Sequence, residues 1–471
     1  MKHNIGRLAL AGLLIYLATA LWNVGIIATD DYEFGISRVV PAQNWTAEKI
    51  IAVSDIRSPL PNLYLFFFTR SALALGIGSP VTQLRFALFF VALIGFSMNA
   101  FFGLKLVRLA GGNEEKHALT FLFLLGFLFY MPVAHTRPLI ENLASPFVTA
   151  SVYYTCAYAR SFALPQLLAA LAFLALACTM RFQVAVIGVV PVWLALKSKR
   201  ASHLLSFGAL AVALFFVTGL VDFLYKGGWH ASLVAYYRYQ AAEIEKYSQQ
   251  PFSVFFGLYF ALSFPPVLLA RFRGLQWKEI YRPLYPALFG WLFFIFTHSL
   301  VGHKEERFMI PLFVVFVILL TPLATEVATN PRYRWRRAYF LAMNTVLLFL
   351  ASANVPQYNL IGSAQFVGSH PEIREVWGIE QSLFNFPTAF IGRKVDVKLV
   401  SAADLARKPP ATCGEVVLVR VDYVEASPQA VRELEKKAVY SPGLLEQIAI
   451  KLNRKQNFRR GPIEVYQKRG C

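Results

Sequence analysis

The chain has 471 residues, 56% of them hydrophobic and only 15% charged, with a mean hydropathy of +0.49. A soluble protein would carry roughly a quarter charged residues, so this composition excludes an ordinary soluble globular class. The net charge of +19 does not argue for a nucleic-acid partner, because the basic residues lie mostly in short loops between apolar runs and in the C-terminal tail, where they set membrane orientation.

The first apolar run, LALAGLLIYLATALWNVGII, is too long for the apolar core of a signal peptide. No small-x-small cleavage site follows it, so it reads as a retained first span. Further runs lie near 62–79, 84–107, 117–134, 142–159, 162–196, 204–223, 253–270, 283–300, 308–325 and 338–354. They predict an α-helical polytopic membrane protein with about 11 transmembrane helices. The 162–196 run is too long for one straight span and contains Arg181, so a broken or tilted helix is expected there. The loops KSKR (197–200), RFRGLQWKEIYR (271–282) and PRYRWRR (331–337) fall on one side together with Lys2 and Arg7. The positive-inside rule makes that side cytoplasmic. Residues 28–61, 225–252, 301–307 and everything after about 355 then share the extracytoplasmic face. An error of one span between 60 and 200 would move only the loops of that region.

Two domains are expected: 1–355 in the membrane and a small extracytoplasmic α/β domain at 356–471. In the tail, EVVLVRV (415–421) and IEVYQK read as strands and SPQAVRELEKKAV (427–439) as a helix. A structural or acceptor-positioning role suits this tail better than a second active site. Cys156 and Cys178 fall in apolar runs as buried small residues. Cys413 and Cys471 could pair if the tail is extracytoplasmic, but two cysteines make no framework and either state is open.

The polar residues each have two readings. Asp30 and Asp31, with Glu33 beyond, either end the first span or place a general base at the membrane boundary. Arg57, just before Pro59 and Pro61, is either a snorkelling anchor or a ligand for an anionic headgroup. The aromatic loop 221–260 is either an interfacial belt or a carbohydrate-contacting lid carrying Asp222, Lys226, His230, Arg238 and Gln250. The charge knot His303-Lys304-Glu305-Glu306-Arg307 sits between two apolar runs. It is either a hydrated turn or a phosphate grip in which Lys304, Arg307 and His303 bind and the glutamates hold them. Arg181 and the pair Arg137–Glu141 are further polar islands. Arg137 falls on the cytoplasmic side by the span count, paired with Glu141 one turn on.

Taken together, these segments resemble the GT22 group of GT-C glycosyltransferases, the α-mannosyltransferases that build N-glycan precursors and GPI anchors. HKEERF (303–308), followed by Pro311, is similar to that family's HKExRF-P signature and is the most specific element. IRSPLP (56–61) resembles IRS-x-L-x-P, DFLYKG (222–227) resembles D-S-x-F-Y-G, YSQQPFSVFF (247–256) resembles YG-x-HPWYWY, and TDDYEF (29–34) resembles PDE-x-x-Q. Order and approximate spacing agree over about residues 1–325. Asp31 stands where the family has Glu, and Gln250 and Phe252 stand where it has His and Trp. The tail also differs from the usual family ending. The chain is therefore read as a divergent, bacterial member.

The resemblance implies a GT-C fold and a polyprenyl-phosphate sugar donor, with mannose the expected sugar. The acceptor would be a glycolipid or glycan, and transfer would run with inversion on the extracytoplasmic face of a lipid membrane. No cofactor, no metal and no nucleic acid enter this scheme. Asp30 is the expected base with Asp31 second. Lys304 and Arg307 would bind the donor phosphate, supported by Arg57, His303 and Arg181. Asp222, Tyr225, Tyr247 and Gln250 would form the substrate loop. The expected location is a bacterial inner membrane with the site facing the periplasm, the alternative being the endoplasmic reticulum membrane with a lumenal site. A transporter or flippase of a lipid-linked or anionic solute is the rival class. A GT-C transferase of another sugar, such as aminoarabinose or another hexose, is the rival within enzymes.

Overall fold

The structure, a computed structural model, describes residues 2–27, 31–40, 56–111, 114–243, 249–263, 277–383, 386–457 and 460–471. Among these, five helices are long and apolar enough to cross a membrane. They contain His3–Trp22, Pro80–Ala110, Ala201–Lys226, Glu306–Thr329 and Pro331–Ser369. Among the described residues the other apolar segments form shorter or more polar helices, so about 11 spans are not reached by this criterion.

In chain order the main helices are α1 (Lys2–Trp22), α2 (Leu60–Ala74), α3 (Pro80–Ala110), α4 (Glu114–Phe127), α5 (Ile140–Ser161), α6 (Leu164–Met180), α7 (Val189–Lys197), α8 (Ala201–Lys226), α9 (Ala231–Glu243), α10 (Val254–Leu262), α11 (Tyr285–Ser299), α12 (Phe313–Thr329) and α13 (Arg334–Ala353). The break expected at Arg181 is present. Arg181 is extended (φ −149°, ψ 112°), a 3-10 turn runs over Phe182–Gly188, and the α-helix resumes at Val189.

The helices differ in what they bury. α12 is packed along nearly its whole length, Phe313 to Leu320 without interruption. α8 and α13 present Leu205, Val212, Phe215, Trp335, Tyr339 and Phe349 outward. In water those side chains would forfeit roughly 1.5–3 kcal/mol each of burial energy. Facing hydrocarbon they forfeit nothing. The chain is thus a multi-pass membrane protein.

Chain contacts divide it into two compact units. One comprises Met1–Thr19, Ala47–Leu63 and Phe89–Phe349, and the other Ala20–Thr46, Tyr64–Leu88 and Leu350–Cys471. The second contains helix α14 (Tyr358–Ser369), five strands and helix α15 (Leu444–Leu452). The strands are β1 (Glu375–Ile379), β2 (Asp396–Val400), β3 (Glu415–Arg420), β4 (Leu434–Tyr440) and β5 (Ile463–Lys468). They form one mixed sheet in the order β2-β1-β3-β5-β4, with β1 parallel to β2 and β3, and β5 antiparallel to β3 and β4.

Two tail strands lie where the sequence places them. The helix expected at 427–439 does not form. A 3-10 turn at Pro428–Val431 is followed by β4, which pairs with β5 from Leu434↔Lys468 to Tyr440↔Ile463. The charged run Glu435-Lys436-Lys437 has good helix propensity, but cross-strand pairing overrides it, as propensity is a weak prior. The charges also suit an outermost strand, which they protect from further pairing. Cys413 and Cys471 are joined in a disulfide.

Candidate functional site

The first unit gathers charge around the start of α5. Pro138 disfavours helix before it, so the helix begins at Ile140 with Glu141 in its first turn, where the helix dipole favours a carboxylate. Asn142 fixes the turn, its Nδ2 donating to the Arg137 carbonyl (2.8 Å) while its Oδ1 meets His135 Nδ1 (3.0 Å). Glu141 is 1% exposed and forms an ion pair with Nη1 of Arg181, itself 4% exposed. The helix break at Arg181 turns that guanidinium out of the helical register toward Glu141.

The knot joins the same cluster. Arg307 donates to Glu305 through Nε (2.6 Å) and Nη2 (3.0 Å), and Glu305 Oε1 lies 3.0 Å from His303 Nε2. Arg307 Nε is also 4.0 Å from Glu141 Oε1. The Phe308 ring carries the Arg181 guanidinium at 4.9 Å and that of Arg307 at 5.7 Å, with the His303 ring edge-on at 5.8 Å. Glu305 is therefore the carboxylate that orients the knot, while Glu306 is exposed. Side chains so close to the knot share its membrane face. Glu141 therefore lies beside the knot, whereas the charge count put this turn on the opposite face, and its structural partners include Arg181 and Arg307.

Lys304 is 3% exposed and donates to the backbone carbonyls of Gln250 (3.0 Å) and Val301. Gln250 N in turn donates to Gly302 O (3.0 Å). A Cβ at Gly302 would stand 1.6 Å from Gln249 Oε1, so that flexible side chain would have to swing aside. The side chain of Gln250 is exposed, and its backbone carries the link to the knot.

Helix α9 contributes Tyr236 to this region. Tyr236 accepts a hydrogen bond from Gln183 Nε2. Burial pushes its phenol above the ordinary value, opposed by Arg181, the Gln183 bond and Arg57, and assisted by Glu141. Tyr236 therefore lies within electrostatic reach of Arg57, Arg181 and Glu141 together. Arg57 is set by its backbone. Its carbonyl accepts from Lys226 Nζ (2.8 Å) and lies 2.8 Å from Ser232 Oγ. Asp222 accepts from Ser232 N (2.8 Å) and Oγ (2.6 Å). Asp222 and Lys226, one turn apart on α8, face inward, whereas Tyr225 is 39% exposed. Asp222 thus holds the α8–α9 junction against Arg57.

Asp31 belongs to the other unit. Asp31 is 3% exposed and accepts from Ile27 N (3.3 Å). The segment that follows is pinned to the C-terminal domain, where Tyr32 Oη accepts from Ala389 N (3.0 Å). Asp30 and Tyr247 lie outside the described residues. Sequence reasoning missed Tyr236, Gln183 and Ser232, neutral polar residues in aromatic or apolar surroundings with no signal of their own.

The decisive comparison is with the model of the Alg9-like mannosyltransferase family, which matches residues 52–375. The chain belongs to that family. This family member is similar in structure to apo ArnT from Cupriavidus metallidurans, with a TM-score of 0.58, 11% identity and coverage of 98% of this chain and 97% of that one. It is similar also to the same enzyme bound to undecaprenyl phosphate, with a TM-score of 0.54, 10% identity and coverage of 99% and 98%. An oligosaccharyltransferase from Archaeoglobus fulgidus matches with a TM-score of 0.47 at 11% identity, over 92% of this chain and 72% of that one. No curated protein matches the chain by sequence. The family and the fold make this Alg9-like member a membrane glycosyltransferase with the GT-C architecture and a small C-terminal sheet domain.

Proposed function

We propose that this protein moves mannose from a polyprenyl-phosphate donor to a glycolipid or glycan acceptor, with inversion, on the extracytoplasmic face. The observation that carries the reading is Arg181. Its guanidinium is buried and pairs with Glu141 through Nη1, while Nε and Nη2 meet no hydrogen-bond partner among the described residues. A buried donor left unmatched costs about 1–3 kcal/mol, and a phosphate oxygen would remove that cost. Arg307, 4.0 Å from the same Glu141 oxygen, and Arg57, whose charge is felt at Tyr236, add positive charge nearby. The undecaprenyl phosphate bound to ArnT supports a lipid phosphate as the ligand.

The chemistry follows from the leaving group. A departing polyprenyl phosphate is a good leaving group and needs no strong general acid. It gains negative charge as the sugar leaves, so guanidinium groups placed beforehand stabilise the transition state more than the bound donor. Lys304 has two of its three donors engaged on carbonyls, leaving one N–H to offer. His303 orients through Glu305. Asp30 is the proposed base for the acceptor hydroxyl and Asp31 the second choice. Asp222 and Gln250 hold Arg57 and the knot and are assigned to substrate contact, together with Tyr225 and Tyr247. Residues 1–355 form the catalytic part, with 356–471 as an extracytoplasmic domain. The Cys413–Cys471 disulfide supports an oxidising compartment such as the periplasm for that domain.

Purified protein incubated with polyprenyl-phosphate mannose and a membrane lipid extract tests this. Transfer is expected in the wild type and its loss in Asp30→Ala, with Asp31→Ala the second candidate. Wild-type transfer by both variants would remove the base assignment, and unaltered donor binding in Arg307→Glu would remove the phosphate grip. Donor movement across liposomes without sugar transfer would favour a flippase.

A further inference from the structure

Helix α15 of the C-terminal unit wears its amphipathicity inside out. Leu444, Leu445, Ile448 and Leu452 are 52%, 39%, 43% and 82% exposed, while Glu446 is 8% exposed. At 3.6 residues per turn these four apolar side chains fall within an arc of about 100°, and Glu446 lies on the far side. A helix on a water-facing domain shows the reverse arrangement. The apolar stripe is too continuous to be scattered surface leucines. Lys451 is exposed at its edge, and the sequence just beyond adds Arg454, Lys455, Arg459 and Arg460.

The helix also starts where two membrane-length helices end. Trp22, the last residue of α1, donates its indole N–H to the carbonyl of Ala353, the last residue of α13 (3.0 Å). Asn23 Nδ2 donates to Asn354 O (2.6 Å), and Asn354 Oδ1 accepts from Leu445 N in the first turn of α15 (3.0 Å). Glu446 Oε2 accepts from Gln357 N (2.8 Å) and Gly443 N (3.2 Å). At Gly443 a Cβ would stand 2.3 Å from Asn354 Oδ1 and 2.8 Å from Val355 O, so only glycine lets α15 begin this close to the end of the span. Trp22 is 63% exposed, in keeping with the tryptophan belt at membrane–water boundaries. The first turn of α15 is therefore held at the ends of α1 and α13.

We propose that α15 is an interfacial helix that docks the C-terminal domain onto the bilayer. Leu444, Leu445, Ile448 and Leu452 enter the boundary between headgroups and acyl chains, and Lys451 meets lipid phosphates. Such helices bury their apolar face about 5–10 Å into that boundary.

The test uses the full chain with Cys156 and Cys178 replaced by alanine and the disulfide kept. A nitroxide is placed at Ile448→Cys, and the protein is reconstituted at one copy per nanodisc of phosphatidylcholine and phosphatidylglycerol. Collisions with dissolved oxygen and with a water-soluble nickel chelate are compared with those of a nitroxide at the exposed position Arg407→Cys. The expected result is oxygen-rich, nickel-poor contact at 448 and the opposite at 407. Adding Leu445→Glu and Leu452→Glu, both at exposed positions, is expected to abolish the difference. Equal nickel access at 448 and 407 would overturn the proposal. That would also be the result if the stripe instead covers a second copy of the chain, since none shares the nanodisc.

Discussion

Arg307 Nε lies 4.0 Å from Glu141 Oε1, bringing the charge knot before one span against the first turn of another helix. Arg181 completes the contact through its ion pair with the same carboxylate oxygen. Removing one partner of a buried pair strands the other, at about 3–5 kcal/mol. Glu141→Ala is therefore expected to destabilise the protein by about that amount, with Glu141→Gln milder because its carbonyl still accepts from Arg181. Thermal melting of the purified variants checks this, and an unchanged melting temperature for the alanine variant would contradict the pairing.

The Arg57 carbonyl receives Lys226 Nζ at 2.8 Å, at the α8–α9 junction. Lys226→Met keeps the apolar stem and removes the donor. Loss of a hydrogen bond to a charged group is worth about 1.5–3 kcal/mol. If that energy serves to place Arg57, binding of polyprenyl phosphate should weaken by about tenfold or more. Lys226→Arg should recover part of it. Affinity measured by calorimetry in detergent checks both, and equal affinity in the methionine variant would show that Arg57 needs no such anchor.

The disulfide closes a sequence separation of 58 residues. On the loop-entropy account a cross-link of that span stabilises by about 4 kcal/mol. Cys471→Ser should lower the melting temperature of the protein accordingly and should make Cys413 reactive toward a maleimide. A wild-type chain taken from intact cells should label at Cys413 and Cys471 only after reduction. Labelling without reductant would place the tail in a reducing compartment.

Glu446 titrates above its ordinary 4.5 because burial disfavours its charge, although bonds from Gln357 N and Gly443 N pull the other way. Its folded-state pKa therefore exceeds the unfolded one. The protonated form contributes stability that is fully present below the unfolded pKa and is lost as pH rises through the folded pKa. Glu446→Gln cannot ionise, so the stability difference between wild type and variant should move in the variant's favour as pH rises from below 4.5 toward neutrality. Melting temperatures across that range decide it, and a pH-independent difference would rule out the raised pKa.

Local pattern determined much of this protein from the sequence alone. The apolar runs specified a polytopic membrane chain, because a bilayer leaves few alternatives for long uncharged segments. Arg181 foretold a broken helix, HKEERF marked the family, and two β-rich runs became β3 and β5. Tertiary structure decided the rest. No local signal says that Glu141 meets Arg181 and Arg307, since charge pairing across helices depends on packing and not on spacing. Residues 434–440 have the composition of a helix and become a strand because β5 offers backbone partners. No reading of the sequence singles out α15, and its apolar side is exposed in the fold because Glu446 takes the buried side against Gln357 and Gly443.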